Sequence, residues 1–233
     1  METSFAGYII FSLLTLSCIP FSVISLFLSF HLLRNYQQDR ARFYFGMSLL
    51  LLSFWLIIIP LIFFAHGIEI RKIIVVSNFF LGAWIMHFFL LFTAHLYFRN
   101  KSYDYIVFIQ YLLTIVISLM IFTDNFLVLA AEGNFPFLRL TFSRVGLIVY
   151  TSFFILMTGA SFINLVKRHD STDGIVRVKI RRILWTTMLA IVANLVLSVC
   201  VYYFTTFDTN PLGALFTFVV LIYTHKLLYE DQK

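Results

Sequence analysis

The sequence predicts an all-α integral membrane protein with seven transmembrane helices, an outer N-terminus and a cytoplasmic C-terminus. Three observations support this fold class. Hydrophobic residues make up 61% of the 233 residues and charged residues only 12%, whereas soluble domains are about 45–50% apolar and about 25% charged. Apolar runs recur along the chain and are long enough to cross a hydrocarbon layer of about 30 Å as helices. Lysine and arginine are concentrated in alternate loops.

Each apolar run is predicted to be a helix because its length fits a helical span and because it lacks the alternation of a barrel strand. Pro20 and Pro60 fall inside the first two runs, where neighbouring helices can satisfy the carbonyls that a proline frees. The whole chain, 1–233, is predicted to be one domain. The predicted spans are 8–32, 43–65, 73–98, 105–122, 145–166, 183–205 and 212–229.

The charge distribution gives the orientation. The loops on one side, with the C-terminal end, hold all but four of the 17 Lys and Arg residues. By the positive-inside rule, that side is cytoplasmic, which predicts a multi-pass protein of the bacterial inner (plasma) membrane. The same bias accounts for the net charge of +6, so the lipid bilayer is the expected partner and nucleic acid is not.

The segment 167–182 is predicted to be a cytoplasmic loop that anchors this topology. Near anionic headgroups, each basic residue contributes about 1 kcal/mol. Binding of a phosphate ligand by Arg181 and Arg182 is the alternative interpretation. The predicted anchor residues are Lys167, Arg168, Arg177, Lys179, Arg181 and Arg182.

The placement of the acidic residues lowers the expectation of transport or catalysis. No Asp or Glu falls in the middle of a predicted span, although proton-coupled transporters and intramembrane hydrolases generally use ionisable groups there. The sequence contains no P-loop, nucleophile elbow or HExxH motif. We therefore expect no catalytic residues, no metal site and no cofactor.

The third span carries most of the polar residues within the predicted membrane region. Trp84 and His87 are three residues apart and share one face of that helix. The favoured interpretation of His87 is an interhelical hydrogen bond, which typically contributes about 0.6 kcal/mol in membranes. The alternatives are a ligand pocket and a haem or metal site with His95, for which His31 is the nearest candidate partner.

The longest predicted outer loop, 123–144, mixes polar and aromatic residues. It is predicted to be a lid over a ligand pocket in the outer half of the bundle; a segment lying flat on the bilayer is the alternative. The candidate ligand-binding residues in this loop are Asn125, Glu132, Asn134 and Arg139, in addition to Trp84 and His87 in the third span.

Five stretches, in chain order, resemble the N-terminal seven-helix sensor region of bacterial histidine kinases and related membrane-bound signalling proteins. The resemblance implies a signal-input module that relays a conformational change to a cytoplasmic output component, namely a kinase, a cyclase or a phosphatase. The stretches are LLRNYQQDRARFYFGMSLLLLSFW, FFLGAWIMHFFLLFTAHLYF, FTDNFLVLAAEGNF, VRVKIRRILWTTMLAIVANL and NPLGALFTFVVLIYTHKLLYE.

The expected function is therefore that of a membrane sensor. The alternatives are a small-solute or lipid transporter and a membrane-embedded lipid enzyme. No output domain follows before Lys233. The chain is therefore expected to be a stand-alone or excised input module, or else an output partner is encoded elsewhere; a homodimer is compatible with this function. The predicted output contacts are His225, Lys226, Glu230 and Asp231.

Overall fold

The computed structural model describes residues 5–34, 39–61, 64–65, 67–97, 104–123, 126, 128–132, 139–195 and 210–230. These residues form seven α-helices and one β-hairpin, and the last helix continues into a π-helical turn. The elements are α1 (Phe5–Arg34), α2 (Arg40–Leu61), α3 (Ile68–Tyr97), α4 (Asp104–Phe122), β1 (Val128–Glu132), β2 (Arg139–Phe142), α5 (Arg144–Asp170), α6 (Gly174–Leu195), α7 (Asn210–His225) and the π turn (Lys226–Glu230).

The predicted class of helical membrane protein is confirmed. In the described part of the chain, α1, α2, α3 and α5 are each long and apolar enough to cross a bilayer. Two shorter apolar stretches, Val107–Phe122 and Gly213–Leu228, lie in α4 and at the end of the chain. The chain is therefore a multi-pass membrane protein that contacts lipid through apolar helices.

The predicted basic loop 167–182 is wrong in its extent. Helix α5 continues to Asp170 and α6 begins at Gly174, so only a three-residue turn separates the two helices. The turn is closed by Ser171, whose N–H donates to the Lys167 carbonyl at 3.1 Å, and Gly174 adopts a positive φ of 64°. Lys and Arg are good helix formers, so the helices extend well beyond the apolar residues that hydropathy detects.

The segment 123–144, predicted as a lid or a flat interfacial loop, contains a β-hairpin. Strands β1 and β2 pair antiparallel, with Glu132 opposite Arg139. Val128 is buried, and the ring of Phe142 packs edge-to-face on Phe79 of α3 with centroids 5.7 Å apart. The hairpin is therefore docked on the first half of α3. A second boundary also differs, since α2 ends at Leu61 and not at 65.

Helices α1 and α2 form a closely packed apolar pair. Small residues lie along the buried face of α1, which allows close approach of another helix. A Cβ on Gly46 of α2 would lie 3.0 Å from the Leu33 side chain and 3.3 Å from the Leu32 Cβ atom of α1. The small buried residues of α1 are Thr15, Cys18, Ser22, Ser25 and Ser29.

Helix α3 is central and packs against α2, α4, α5 and β1. Polar contacts fix it to α5: the Tyr150 hydroxyl donates to the Phe79 carbonyl at 3.1 Å, and the Asn164 amide donates to the Thr93 hydroxyl at 3.5 Å. Gly82 lets the two helices approach, because a Cβ there would lie 3.2 Å from the Tyr150 hydroxyl. These contacts join α3 to α5 at two levels, near Phe79 and near Thr93.

The C-terminal π turn packs at the same end of the bundle as the basic residues. Leu227 is buried in a cluster with Leu165 of α5 and Ile183 of α6, and Leu96 near the end of α3 packs against this cluster. Leu165 lies two residues before Lys167, and Ile183 directly follows Arg182. We call this set of four leucine and isoleucine residues the C-terminal cluster.

Candidate functional site

A polar and aromatic interface lies between α3 and α4, and we call it the α3–α4 seam. Residues three or four apart lie on the same face of a helix, so each of the two helices presents its polar and aromatic residues together. Helix α3 contributes Trp84, His87 and Phe88, and α4 contributes Gln110, Tyr111 and Thr114. Their contacts are made by ring pairs and by one hydrogen bond between the helices.

His87 is completely buried, with 0% of its surface exposed. Its Nδ1 atom lies 3.0 Å from the Oγ1 atom of Thr114. The same hydroxyl donates to the Gln110 carbonyl, one turn earlier in α4, at 2.9 Å. The interhelical hydrogen bond that was the favoured interpretation of His87 is thus present, and Thr114 is its partner.

Three other polar atoms of the seam are buried without a hydrogen-bond partner among the described residues: His87 Nε2, Trp84 Nε1 and Gln110 Oε1. Most buried side-chain polar atoms in folded proteins are paired, and a lone polar atom in a membrane interior is costly. Gln110 uses its amide nitrogen in a long contact of 3.7 Å with the Met157 sulfur. The seam therefore has one free donor, one free amide acceptor and one unpaired imidazole nitrogen within the described chain.

Unpaired serine hydroxyls in α1 are weaker evidence of a binding site than the unpaired atoms of the seam. Ser22, Ser25 and Ser29 lack a partner in the described part of the chain, but a serine hydroxyl can rotate onto the carbonyl of its own preceding turn. Ser48 makes such a bond to the Tyr44 carbonyl at 3.2 Å. A tryptophan Nε1 has no such local acceptor, because the ring holds it away from its own backbone.

Aromatic rings enclose the His87 side chain. The centroid of its imidazole lies 5.4 Å from those of Trp84 and Phe88 and 5.6 Å from that of Tyr111. Trp84 and Tyr111 also meet edge-to-face at 5.7 Å. Tyr111 is 45% exposed on an otherwise apolar helix face, so this ring forms the wall between the seam and the surrounding lipid.

The other predicted ligand residues belong to the hairpin region. Glu132 and Arg139 are register partners in the β1–β2 ladder, and Asn125 and Asn134 lie outside the described residues. The structure brings Trp84 and His87 together. Their joint role with the hairpin residues in ligand binding remains a prediction.

His95 and His31, the residues considered for a cofactor site with His87, are in other surroundings. The Nδ1 atom of His95 donates to the Leu91 carbonyl at 2.9 Å, and its ring packs on Tyr44 of α2 at 4.7 Å. His31 lies in the last turn of α1. Among the described residues, no group of three or more His, Cys, Asp or Glu side chains is arranged to hold a metal ion.

The predicted anchor residues lie on two helices. Lys167 and Arg168 are in the last turn of α5, and Arg177, Lys179, Arg181 and Arg182 are in the first turns of α6. One outward face of α6 passes from exposed Arg181 and Arg182 to Trp185, which is 66% exposed, and then to Met188 and Leu189. This order of cations, tryptophan and apolar residues is typical of a helix entering a membrane.

The predicted output residues lie at the end of α7 and in the π turn. His225 is buried, whereas Lys226 is exposed. Glu230 ends the π turn, and Asp231 lies outside the described residues. π-Helical segments are rare and often occur at functional sites.

The sequence interpretation missed Gln110, Tyr111 and Thr114. A signal was available, because Gln110 and Thr114 are polar, four residues apart and inside an apolar span. That spacing indicates a polar face on α4, but only the tertiary structure places the face opposite His87.

Comparison with known proteins adds no relative. No protein-family model matches the chain, and neither a curated protein nor a solved structure matches it significantly.

Proposed function

We propose that this protein is a membrane signal-input module, in which the α3–α4 seam receives the stimulus and the C-terminal segment transmits it to a cytoplasmic component. One observation carries the proposal: α3 contacts both regions. It bears Trp84 and His87 in the seam, and its Leu96 packs against the C-terminal cluster. His87 and Leu96 are nine residues apart, about 14 Å along a helix axis.

The seam suits an input site because buried polar groups in a membrane are expensive and commonly functional. A ligand shifts a conformational equilibrium only by its difference in affinity for the two states. The single hydrogen bond between His87 and Thr114 is a contact that a ligand can replace or strengthen. A change in the α3–α4 packing then displaces α3 relative to the helices around it.

The C-terminal segment suits an output because it joins three helices at the cationic end. Leu227 touches α5 and α6 residues in the C-terminal cluster, while Lys226 is exposed beside it. The output component is proposed to be a kinase, a cyclase or a phosphatase, as the resemblance to sensor regions implies, and it contacts Lys226, Glu230 and Asp231. We place this end in the cytoplasm of a bacterial inner membrane, since it carries most of the cations.

Orientation is tested by cysteine labelling in intact cells, with Cys18 and Cys200 replaced. We expect an impermeant maleimide to label Gly133→Cys and to leave Asp173→Cys unlabelled until the cells are lysed. Labelling of Asp173→Cys alone before lysis contradicts the proposed topology.

Coupling is tested by the accessibility of Lys226→Cys in the purified protein in lipid nanodiscs. We expect His87→Phe, which removes the polar seam contact and keeps an aromatic ring, to change the thiol labelling rate at position 226 about threefold or more. Ile175→Cys is the matched control, because it is exposed at the same end of the bundle but lies outside the C-terminal cluster. Equal rates at position 226 with and without His87 contradict the signal-input function.

The alternative functions give different results with the same purified protein. A transporter produces solute or lipid flux in liposomes, and a lipid enzyme turns over substrate in detergent. Flux or turnover that is lost in His87→Phe, without any change at position 226, replaces the proposed function by one of these alternatives.

A further inference from the structure

The hydrogen bonds of the seam specify where the proton of His87 lies. The Thr114 hydroxyl has one hydrogen, and its 2.9 Å contact with the Gln110 carbonyl directs that hydrogen along α4. The hydroxyl oxygen then accepts from the imidazole, so Nδ1 of His87 carries the ring proton across the 3.0 Å contact. In a neutral imidazole, the other nitrogen is an acceptor. Nε2 of His87 is thus a buried lone pair without a donor in the described chain.

We propose that His87 Nε2 and Trp84 Nε1 are the polar contacts of a binding site for a neutral, lipid-soluble molecule that carries a hydroxyl or N–H group. The ligand's hydrogen is donated to Nε2 of His87, and Nε1 of Trp84 donates to an acceptor on the ligand. This assignment of a ligand class rests on the proposed function, in which the seam is the input site.

The neutrality of the ligand follows from its surroundings. The groups that line the seam are aromatic rings, an amide and a hydroxyl, and none of these described side chains carries a compensating charge. A charged group in such a site is strongly disfavoured within a membrane. A neutral molecule that combines a flat apolar body with one donor matches the rings of Trp84, Phe88 and Tyr111 as well as the free nitrogen of His87.

The route of entry follows from Tyr111. Its ring contacts both Trp84 and His87, at 5.7 and 5.6 Å between centroids, yet 45% of the residue is exposed. It is flanked on α4 by exposed Phe108 and Leu112, which are suited to contact lipid. Rotation of this one side chain opens the seam toward the acyl chains, so the ligand partitions into the bilayer before it binds.

The test uses two probes of nearly equal shape, p-cresol and 4-methylanisole, with the whole protein in lipid nanodiscs. Only p-cresol has a hydroxyl hydrogen. Binding is followed by NMR of the protein labelled with ¹⁵N-histidine, and the His87 resonances are assigned by their loss in His87→Phe. We expect a protonated Nδ1 and an unprotonated Nε2 on His87, and an Nε2 resonance that p-cresol shifts and 4-methylanisole does not.

We expect p-cresol to bind about tenfold more tightly than 4-methylanisole, as the loss of one partner of a buried polar atom predicts. Thr114→Val should reduce this preference, because it removes the acceptor that holds the proton on Nδ1. Thr186→Val is the matched control and should preserve the preference, since among the described residues the Thr186 hydroxyl bonds to its own helix, at the Arg182 carbonyl.

Two results overturn the ligand class: a His87 ring protonated on Nε2, or equal affinity and equal shifts for the two probes. The comparison of the affinities of the two probes for the unaltered chain needs no variant to fold. The labelling of Lys226→Cys separates the two proposals. If His87→Phe alters labelling but the probes bind equally, the ligand class is wrong and the signal-input function stands. If p-cresol is preferred but labelling never changes, the site stands and the signal-input function is wrong.

Discussion

The α1–α2 interface and the α3–α4 seam are both pairs of neighbouring helices, but they are held together differently. Phe45 and Leu49 of α2 are completely buried in the core cluster that α2 forms with α1, α3 and α7, and Gly46 leaves room for Leu33 of α1, since a Cβ there would lie 3.0 Å from the Leu33 side chain. The α3–α4 seam is instead joined by ring contacts and by one hydrogen bond between side chains, from His87 to Thr114.

The difference indicates which interface is free to respond to a ligand. A pair held by interlocking side chains loses contacts whenever it moves, since packed interiors have few voids. The α3–α4 pair has ring contacts and a single side-chain hydrogen bond of about 0.6 kcal/mol, and a ligand that binds beside this bond can shift the pair at small cost. We therefore assign rigidity to α1–α2 and responsiveness to α3–α4, and the following variants test this assignment.

The largest effect is expected in the α1–α2 core. Phe45 is 0% exposed and packs on Phe92 of α3 at 4.8 Å, so Phe45→Ala leaves a cavity and should destabilise the protein by about 3 kcal/mol. Phe27→Ala is the control, because Phe27 is 74% exposed on α1; it should change stability by less than about 0.5 kcal/mol. Equilibrium unfolding with SDS in micelles measures both. Equal losses for the two variants contradict the assignment of rigidity to α1–α2.

A smaller loss is expected from adding volume at the same interface. Gly46→Val places methyl groups where a Cβ alone already comes within 3.0 Å of the Leu33 side chain, and overpacking of this kind costs about 1–3 kcal/mol. Gly159→Val in α5 is the matched control, since no described atom beyond its chain neighbours and the adjacent backbone of its own helix lies within 4 Å of a Cβ built there. If both valine variants unfold at the same SDS fraction, the close approach of α1 and α2 contributes nothing to stability.

Most of the fold could be predicted because hydropathy detects the residues that face lipid. Predicted span 105–122 differs by one residue from α4, Asp104–Phe122. Some helices extend beyond the predicted spans into the charged region, as for α6, which begins at Gly174 and so before the span 183–205. The hairpin was missed because its strands are short, VLAAE and RLTF, and because six residues, GNFPFL, separate them in place of the two-residue turn that marks a tight hairpin.

Only part of the candidate site could be predicted from the sequence. His87 and Trp84 stand out in the sequence because ionisable and amphipathic side chains are unusual in an apolar helix. Their partners do not stand out, since threonine is common in the spans and its role depends on which helix faces it. The packing of α4 on α3 is a tertiary property, so the contact between Thr114 and His87 could not be read from either segment alone.

The smallest change in stability is expected in the seam. It is measured as the coupling energy between two side chains and not as the stability loss of one variant. His87→Phe, Thr114→Val and the double variant form a cycle that isolates the coupling between the two side chains. We expect a coupling of about 0.6 kcal/mol, the average for hydrogen bonds between membrane helices. The value is small because the unfolded chain in a micelle also finds partners for these groups.

A second cycle supplies the comparison. This cycle combines His87→Phe with Thr186→Val. In the described part of the chain the Thr186 hydroxyl bonds to the Arg182 carbonyl of its own helix, so its coupling to His87 should be zero within error. If the His87–Thr114 coupling instead reaches about 3 kcal/mol, the seam is held as firmly as the α1–α2 core, and a ligand could not readily displace it. A coupling near 0.6 kcal/mol, together with the large loss in Phe45→Ala, leaves α3–α4 as the interface that a bound molecule can move.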